Sequence, residues 1–339
     1  MLRLPRFELA QPTTVDEATA LLAEHGEKAM IVAGGTDLMP NMKHELFTPE
    51  LVVSLGKIDA LHGICQEDDG TLVIGAMTSL EDIAASSAVQ ERAPAVAQAA
   101  SLVAGPQLRS MGTLGGNVML DTRCQWYNQT HFWRQALGFC LKKDGTVCHV
   151  VEKGNKCVAA ASNDTAPALM TLGAGLAIAS ANGAREIAIN DFWSADGIYN
   201  KKLEHGELLT SIRIPPTGPG HRGAYGKLRD RGSIDFPLLG VACRLELTAG
   251  AVTDADLVIT ALAAQPKRIK QAAALLAGSR PDEDSFTTAV QSVADLAFKQ
   301  CRPMANIPGD HEYRREMVPV YVRRTLLAAA DGSGPVHHL

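Results

Sequence analysis

The chain of 339 residues has no apolar run approaching the 18 or more residues of a membrane-spanning helix, so no membrane partner is expected. It has no long block of like charges, which excludes a charged interaction tail. The net charge of −5 is mild for the length and argues against affinity built on phosphate neutralisation, so nucleic acid is not an expected partner either. The basic N-terminus, Met1-Leu-Arg-Leu-Pro-Arg6, is followed by no apolar stretch, so no signal peptide is read there and a cytoplasmic location is the expectation. There is no Rossmann fingerprint and no P-loop, which disfavours a standard NAD site. The seven cysteines are an odd number, which a complete disulfide framework would not give. They include no Cys-x-x-Cys knuckle and no ferredoxin-type spacing.

What is present fits an ordinary globular protein of two or three domains, with 46% hydrophobic and 20% charged residues. Thr14-Val-Asp-Glu17 is a capping-box pattern, and Ala18, Leu21 and Leu22 continue it as a helix that Gly26 ends. The runs 29–33, 51–55, 72–76 and 175–179 read as short strands. Thr78 or Ser79 caps a helix to about Ser86, and 93–104 reads as an Ala-rich helix ending at Gly105-Pro106. Ile212-Arg-Ile-Pro-Pro216 reads as a strand closed by prolines, and residues 216–223 have linker composition. Beyond it, 224–228 and 240–247 read as half-buried strands, and two amphipathic helices are expected near 267–277 and 282–299.

Two glycine turns carry chemistry. Gly34-Gly35-Thr36-Asp37 follows a strand, and Gly112-Thr113-Leu114-Gly115-Gly116-Asn117 repeats its composition. Consecutive glycines leave no Cβ to block a ligand, and successive backbone N–H groups in such a turn bind an anion. Either turn alone is equally well read as a tight connection. The pair predicts a diphosphate held from two sides.

Just downstream, Cys124, Cys140, Cys148 and Cys157 fall within 34 residues, with steps of 16, 8 and 9. Five of the sixteen aromatic residues, Trp126, Tyr127, Phe132, Trp133 and Phe139, lie in the same segment, which predicts a small core of its own. Gathered thiols predict a four-thiolate metal site, and the spacing does not name the metal. Independent thiols or two disulfides are the competing readings, and a reducing compartment stands against the disulfides. His131 and His149 are nearby and are read as bystanders. Cys65, Cys243 and Cys301 are read as buried small residues.

Val32-Ala-Gly-Gly-Thr-Asp-Leu38, Met111-Gly-Thr-Leu-Gly-Gly-Asn117 and Asp164-Thr-Ala-Pro-Ala-Leu169 occur in this order, followed by Leu208-Leu-Thr-Ser-Ile-Arg-Ile-Pro215 and Tyr225-Gly-Lys227. The chain thereby resembles, over essentially its whole length, the FAD-binding medium subunits of the molybdenum hydroxylases, the family of xanthine dehydrogenase and carbon monoxide dehydrogenase. The resemblance implies an α+β fold. A two-subdomain FAD-binding domain spans 1–58 and 59–216, and a C-terminal domain of antiparallel sheet and helices spans 222–330. It implies that Ile31, Val32, Ala33, Gly34, Gly35, Thr36, Asp37 and Leu38, with Thr113, Leu114, Gly115, Gly116 and Asn117, cradle the FAD diphosphate. Asp164 would accept hydrogen bonds from FAD, Leu209 would pack near the adenine, and Lys227 would stand near the flavin ring. Read without the resemblance, Asp164 is equally a helix cap and Lys227 a solvated strand residue.

Residues 121–160 look like an insertion relative to most of that family. They resemble the insertion of the 4-hydroxybenzoyl-CoA reductase beta subunits, which carries a [4Fe–4S] cluster. Asp121-Thr-Arg-Cys124, Phe139-Cys-Leu-Lys-Lys-Asp-Gly145, Cys148-His-Val-Val151 and Lys153-Gly-Asn-Lys-Cys157 carry the match. The resemblance implies Cys124, Cys140, Cys148 and Cys157 as cluster ligands. It implies an electron-transfer subunit, inactive alone toward the organic substrate. Its partners would be a molybdenum-cofactor large subunit and a [2Fe–2S] small subunit in a dimer of heterotrimers, with a ferredoxin or similar carrier as electron donor. Two alternatives stay open: a related hydroxylase or aldehyde dehydrogenase running electrons outward, and a FAD- and zinc-containing scaffold without a relay.

Overall fold

The computed structural model describes residues 2–337. Its N-terminal helix, Val15–His25, starts where Thr14 Oγ1 accepts the Glu17 amide at 3.1 Å and stops at Gly26, whose φ of 55° suits glycine. The Glu17 carboxylate reaches back to the Thr13 amide at 2.8 Å, one residue before the position a capping box uses. This helix covers a parallel sheet in the order Glu8–Ala10, Leu51–Ser54, Ala29–Val32. Ala18, Leu22, Val53 and Ile58 fill the space between them.

A second, antiparallel sheet runs Ile64–Gln66, Leu72–Gly75, Leu208–Ile214, Gly175–Ser180, Gly183–Ala188. The helices Leu80–Ala85 and Pro94–Ser101 share its core. Ser79, not Thr78, caps the first of them, accepting the Asp82 amide at 3.0 Å. Proline at the first position starts the second.

A third sheet, antiparallel throughout, runs Lys267–Arg268, Ala251–Thr260, Leu239–Thr248, His221–Leu228. Two long helices, Asp284–Gln300 and His311–Asp331, pack on it through Phe286, Val290, Val318 and Leu326. The fold is α+β, as expected, but several elements differ from the sequence reading. The helix expected near 267–277 is only Ala272–Leu276, because Lys267–Arg268 pairs as an edge strand with Val258 and Ile259. Cys65 sits exposed on the edge strand Ile64–Gln66 rather than buried, while Cys243 and Cys301 are buried as expected. No helix among the described residues is long and apolar enough to cross a membrane.

Candidate functional site

A cavity of about 680 Å³ opens where the first two sheets meet, a size ordinary for a site that takes a nucleotide-sized ligand. Ile31, Ala33, Gly34, Gly35, Thr36, Asp37 and Leu38 line it from one side. Thr113, Gly115, Gly116, Asn117, Asp164 and Leu209 line it from the other. Val32, Leu114 and Lys227 do not reach its surface. Leu114 and Lys227 are fully buried behind it, and Val32 belongs to the strand that delivers the first turn.

The two glycine turns touch. A Cβ on Gly34 would overlap the Met111 carbonyl, and one on Gly115 would come within 2.7 Å of the Ala76 carbonyl. Their sequences are alike but their backbones do different work. From Gly34 to Asp37, no backbone N–H is spent on an acceptor among the described residues, and the Thr36 hydroxyl has none either. Four successive free donors are an anion cradle. The second segment is instead a short helix, Leu114–Val118, capped by Thr113. There the amides of Leu114, Gly115, Gly116 and Asn117 are bonded to Thr78 O, Ala76 O, Thr113 Oγ1 and Thr113 O, at 3.0, 2.8, 3.0 and 2.9 Å. The expectation of two equivalent N–H cradles is therefore corrected. A threonine cap turns the second into helix, and its glycines serve close approach. Its remaining donors are side chains. Asn117 Oδ1 accepts from Thr165 N and Oγ1 at 3.0 and 2.7 Å, which fixes the amide and leaves Nδ2 without an acceptor among the described residues.

Asp164 opens the helix Thr165–Thr171 but makes no side-chain cap bond. Its Oδ1 accepts from the Tyr225 hydroxyl at 2.8 Å and its Oδ2 from Lys227 Nζ at 3.0 Å. Burial raises the Asp164 carboxyl, with Lys227 and Tyr225 opposing, and burial lowers the Lys227 amine, with Asp164 opposing. Lys227 also donates to Leu102 O at 3.0 Å. It is thus no solvated strand residue. It acts on the cavity through Asp164.

The thiol loop is attached to the cradle. Arg123 Nη1 donates to Asp37 Oδ1 at 3.0 Å, its guanidinium lies 3.8 Å from the Phe236 ring centroid, and its backbone bridges to Ala160. Lys142 Nζ pairs with Asp121 Oδ1 at 2.8 Å and donates to Gly197 O at 2.7 Å. Arg134, 1% exposed, ties the loop to Glu45 O at 3.0 Å. Cys124, Cys140 and Cys157 are buried with Leu46, Tyr127 and Ala159 in one small core, and Cys148 is half-buried. None of the seven cysteines forms a disulfide. Burial pushes the Cys124 thiol up to about 11 and raises Cys157 as well.

Among the described residues, no three His, Cys, Asp or Glu side chains are arranged to hold one metal ion. His149 instead bonds Phe139 O at 2.6 Å, and the His131 ring lies against Phe139. The aromatic core is smaller than expected. The helix His131–Ala136 turns Phe132 outward, 81% exposed, and leaves Trp133 partly so. Sequence reasoning also missed Arg123, Lys142 and Asp121, whose partners are remote in the chain or lie inside a segment of irregular backbone.

Comparison with known proteins places this geometry. The family model described as the FAD binding domain in molybdopterin dehydrogenase matches residues 5–217, and that of the CO dehydrogenase flavoprotein C-terminal domain matches residues 223–329. The carbon monoxide dehydrogenase medium chain of Hydrogenophaga pseudoflava is 32% identical over 326 residues, 96% of this chain and 97% of that one. A xanthine dehydrogenase FAD-binding subunit of Escherichia coli is 25% identical over 322 residues, 95% of each chain. A solved carbon monoxide dehydrogenase from Hydrogenophaga pseudoflava superposes with a TM-score of 0.79 at 30% identity, over 98% of this chain and 99% of that one. A cradle of free amides, close-approach glycines and a matching two-part fold agree, and the chain belongs to the FAD-binding medium subunits of the molybdopterin-dependent hydroxylase family.

Proposed function

We propose that the chain is the electron-transfer subunit of a molybdenum-containing complex, with FAD in the cavity and a [4Fe–4S] cluster on Cys124, Cys140, Cys148 and Cys157. The supporting observation is the joint between the two sites. The Asp37 carboxylate ends the amide cradle, and its partner Arg123 is the residue before Cys124. When bound, the flavin supplies one- and two-electron chemistry and the cluster a one-electron relay. The amides from Gly34 to Asp37 hold the diphosphate, Gly34 and Gly115 let the backbone approach it, and Asn117 Nδ2 and Thr36 Oγ1 add donors. Leu209 packs near the adenine, and Lys227 orients Asp164 toward the polar groups of FAD. Four thiols match the ligand count of the cluster. Their buried core is one lever on its potential.

The division proposed is 1–58 and 59–216 for FAD, with the cluster loop at 121–160, and 222–330 for the C-terminal part. The partners are a molybdenum large subunit and a [2Fe–2S] small subunit in a cytoplasmic dimer of heterotrimers. The reaction proposed for the complex is the reductive removal of the phenolic hydroxyl of 4-hydroxybenzoyl-CoA. Two electrons from a ferredoxin-like donor and two protons enter, and benzoyl-CoA and water leave. The second reading, electrons running outward from an oxidised substrate, draws on relatives named as dehydrogenases. A zinc scaffold is the third reading, since four thiolates also suit a tetrahedral ion, and metal analysis separates it from the cluster.

Cys124→Ser and Cys157→Ser test the ligand set in the full chain purified without oxygen. Each is expected to lower iron from about four atoms per chain to below about one while flavin content is retained. Unchanged iron in both variants rejects these ligands. Turnover of 4-hydroxybenzoyl-CoA by the assembled complex with reduced ferredoxin decides the direction of flow.

A further inference from the structure

Every carboxylate on the cavity wall already has a cation. Asp37, Asp121 and Asp164 have the partners described above. Glu207 pairs with Arg185 at 2.5 Å and Asp235 with Arg231 at 3.0 Å. Among the described residues, the cavity wall itself carries one arginine and one lysine, Arg123 and Lys201. Arg123 is committed to Asp37. Lys201 has no carboxylate within 4.0 Å among the described residues. His44 also lines the cavity, but burial lowers its ring and favours the neutral form.

Lys201 is mounted, not loose. Its Nζ donates to Asn200 Oδ1 at 2.8 Å, and Asn200 is 2% exposed and anchored by Nδ2 donating to Ala264 O at 3.0 Å. A backbone bridge to Trp193 fixes the same segment. An ammonium carries three donors, so two remain for a ligand. Burial lowers its amine to about 8, with Asp121 and Asp37 opposing and Lys142 adding to the fall. The surroundings therefore undercompensate this cation. The amide cradle supplies dipoles but no net charge, whereas a flavin dinucleotide brings a diphosphate and, once reduced, an anionic ring.

We propose that Lys201 is the counter-ion that this cavity reserves for the anionic part of the bound flavin nucleotide. The proposal rests on the FAD reading of the cavity. It assigns a role to a residue outside both glycine segments, held in place by an asparagine that the C-terminal sheet region anchors.

The test compares Lys201→Met and Lys201→Arg in the full chain stripped of flavin. FAD affinity is read by equilibrium titration of flavin fluorescence, and the two-electron potential by dye-equilibrated reduction. Lys201→Met is expected to bind FAD at least about tenfold more weakly, or to hold the reduced form about tenfold more weakly than the oxidised one, a fall of about 30 mV. Lys201→Arg keeps both near the wild type. Loss of affinity at constant potential assigns the diphosphate, and loss of potential at constant affinity assigns the ring. Wild-type affinity and potential in Lys201→Met overturn the proposal. A wild-type chain that takes up no FAD overturns the cavity reading instead. Lys201→Gln repeats the comparison should the melting temperature of apo Lys201→Met fall.

Discussion

Replacing Gly34 by alanine is expected to cost at least about a hundredfold in FAD affinity, or about 2.7 kcal/mol. The new methyl would overlap the Met111 carbonyl, which is backbone and has no rotamer to escape into. Overpacking of this kind typically costs about 1–3 kcal/mol, and here it pries apart the two walls that the diphosphate needs close. Equilibrium titration of apo protein with FAD checks it. Gly63→Ala is the control. Its φ of +96° gives alanine a backbone penalty in place of a steric one, nothing lies within 4 Å of its added Cβ, and it lines no cavity. Its variant should lose stability without losing FAD. Equal affinity in Gly34→Ala and wild type would mean that the two glycine segments do not form the diphosphate site.

The second large effect belongs to the Asp164–Lys227 pair. Asp164→Ala leaves Lys227, fully buried, with only the Leu102 carbonyl and no counter-charge. Removing one member of a buried ion pair costs about 3–5 kcal/mol. Urea denaturation of the apo chain should show that loss. The double variant Asp164→Leu with Lys227→Met should regain more than half of it, because an apolar pair of similar volume avoids the desolvation of both charges. FAD affinity should stay low in both, since Asp164 lines the cavity. A double variant no more stable than the single one would show that the pair is held by more than its charges.

Much of the cavity was legible because its signals are local. A strand, two glycines, a hydroxyl and a carboxylate in seven residues state a turn that offers amides, and the coordinates place those amides free. Thr113 carried the opposite message in the same alphabet. Its hydroxyl takes the Gly116 amide, so the second glycine run folds as a helix, and composition alone does not separate the two cases. Asp37–Arg123 spans 86 positions, and nothing at either end announces the other. Lys201 is equally silent in sequence. Its meaning comes from the five neighbouring carboxylates being already paired. Among the elements, His311–Asp331 escaped notice because Pro319 interrupts it and arginines dilute its apolar stripe, yet Val318, Tyr321, Val322 and Leu326 bury one face. Ala251–Thr260 escaped because Asp254 and Asp256 break the apolar run, and both are matched across by Arg244 and Arg268.

The relation between the thiol loop and the cradle is the centre of the account. The loop buries three thiols in one small core, leaves Cys148 half-buried and locks onto the cradle through Arg123. Flavin and iron analysis of the anaerobically purified full chain, followed by low-temperature EPR after reduction, tests it most directly. The account predicts one FAD, about four iron atoms and the signal of a reduced [4Fe–4S] centre in each chain. Flavin without iron, or zinc in place of iron, would contradict it.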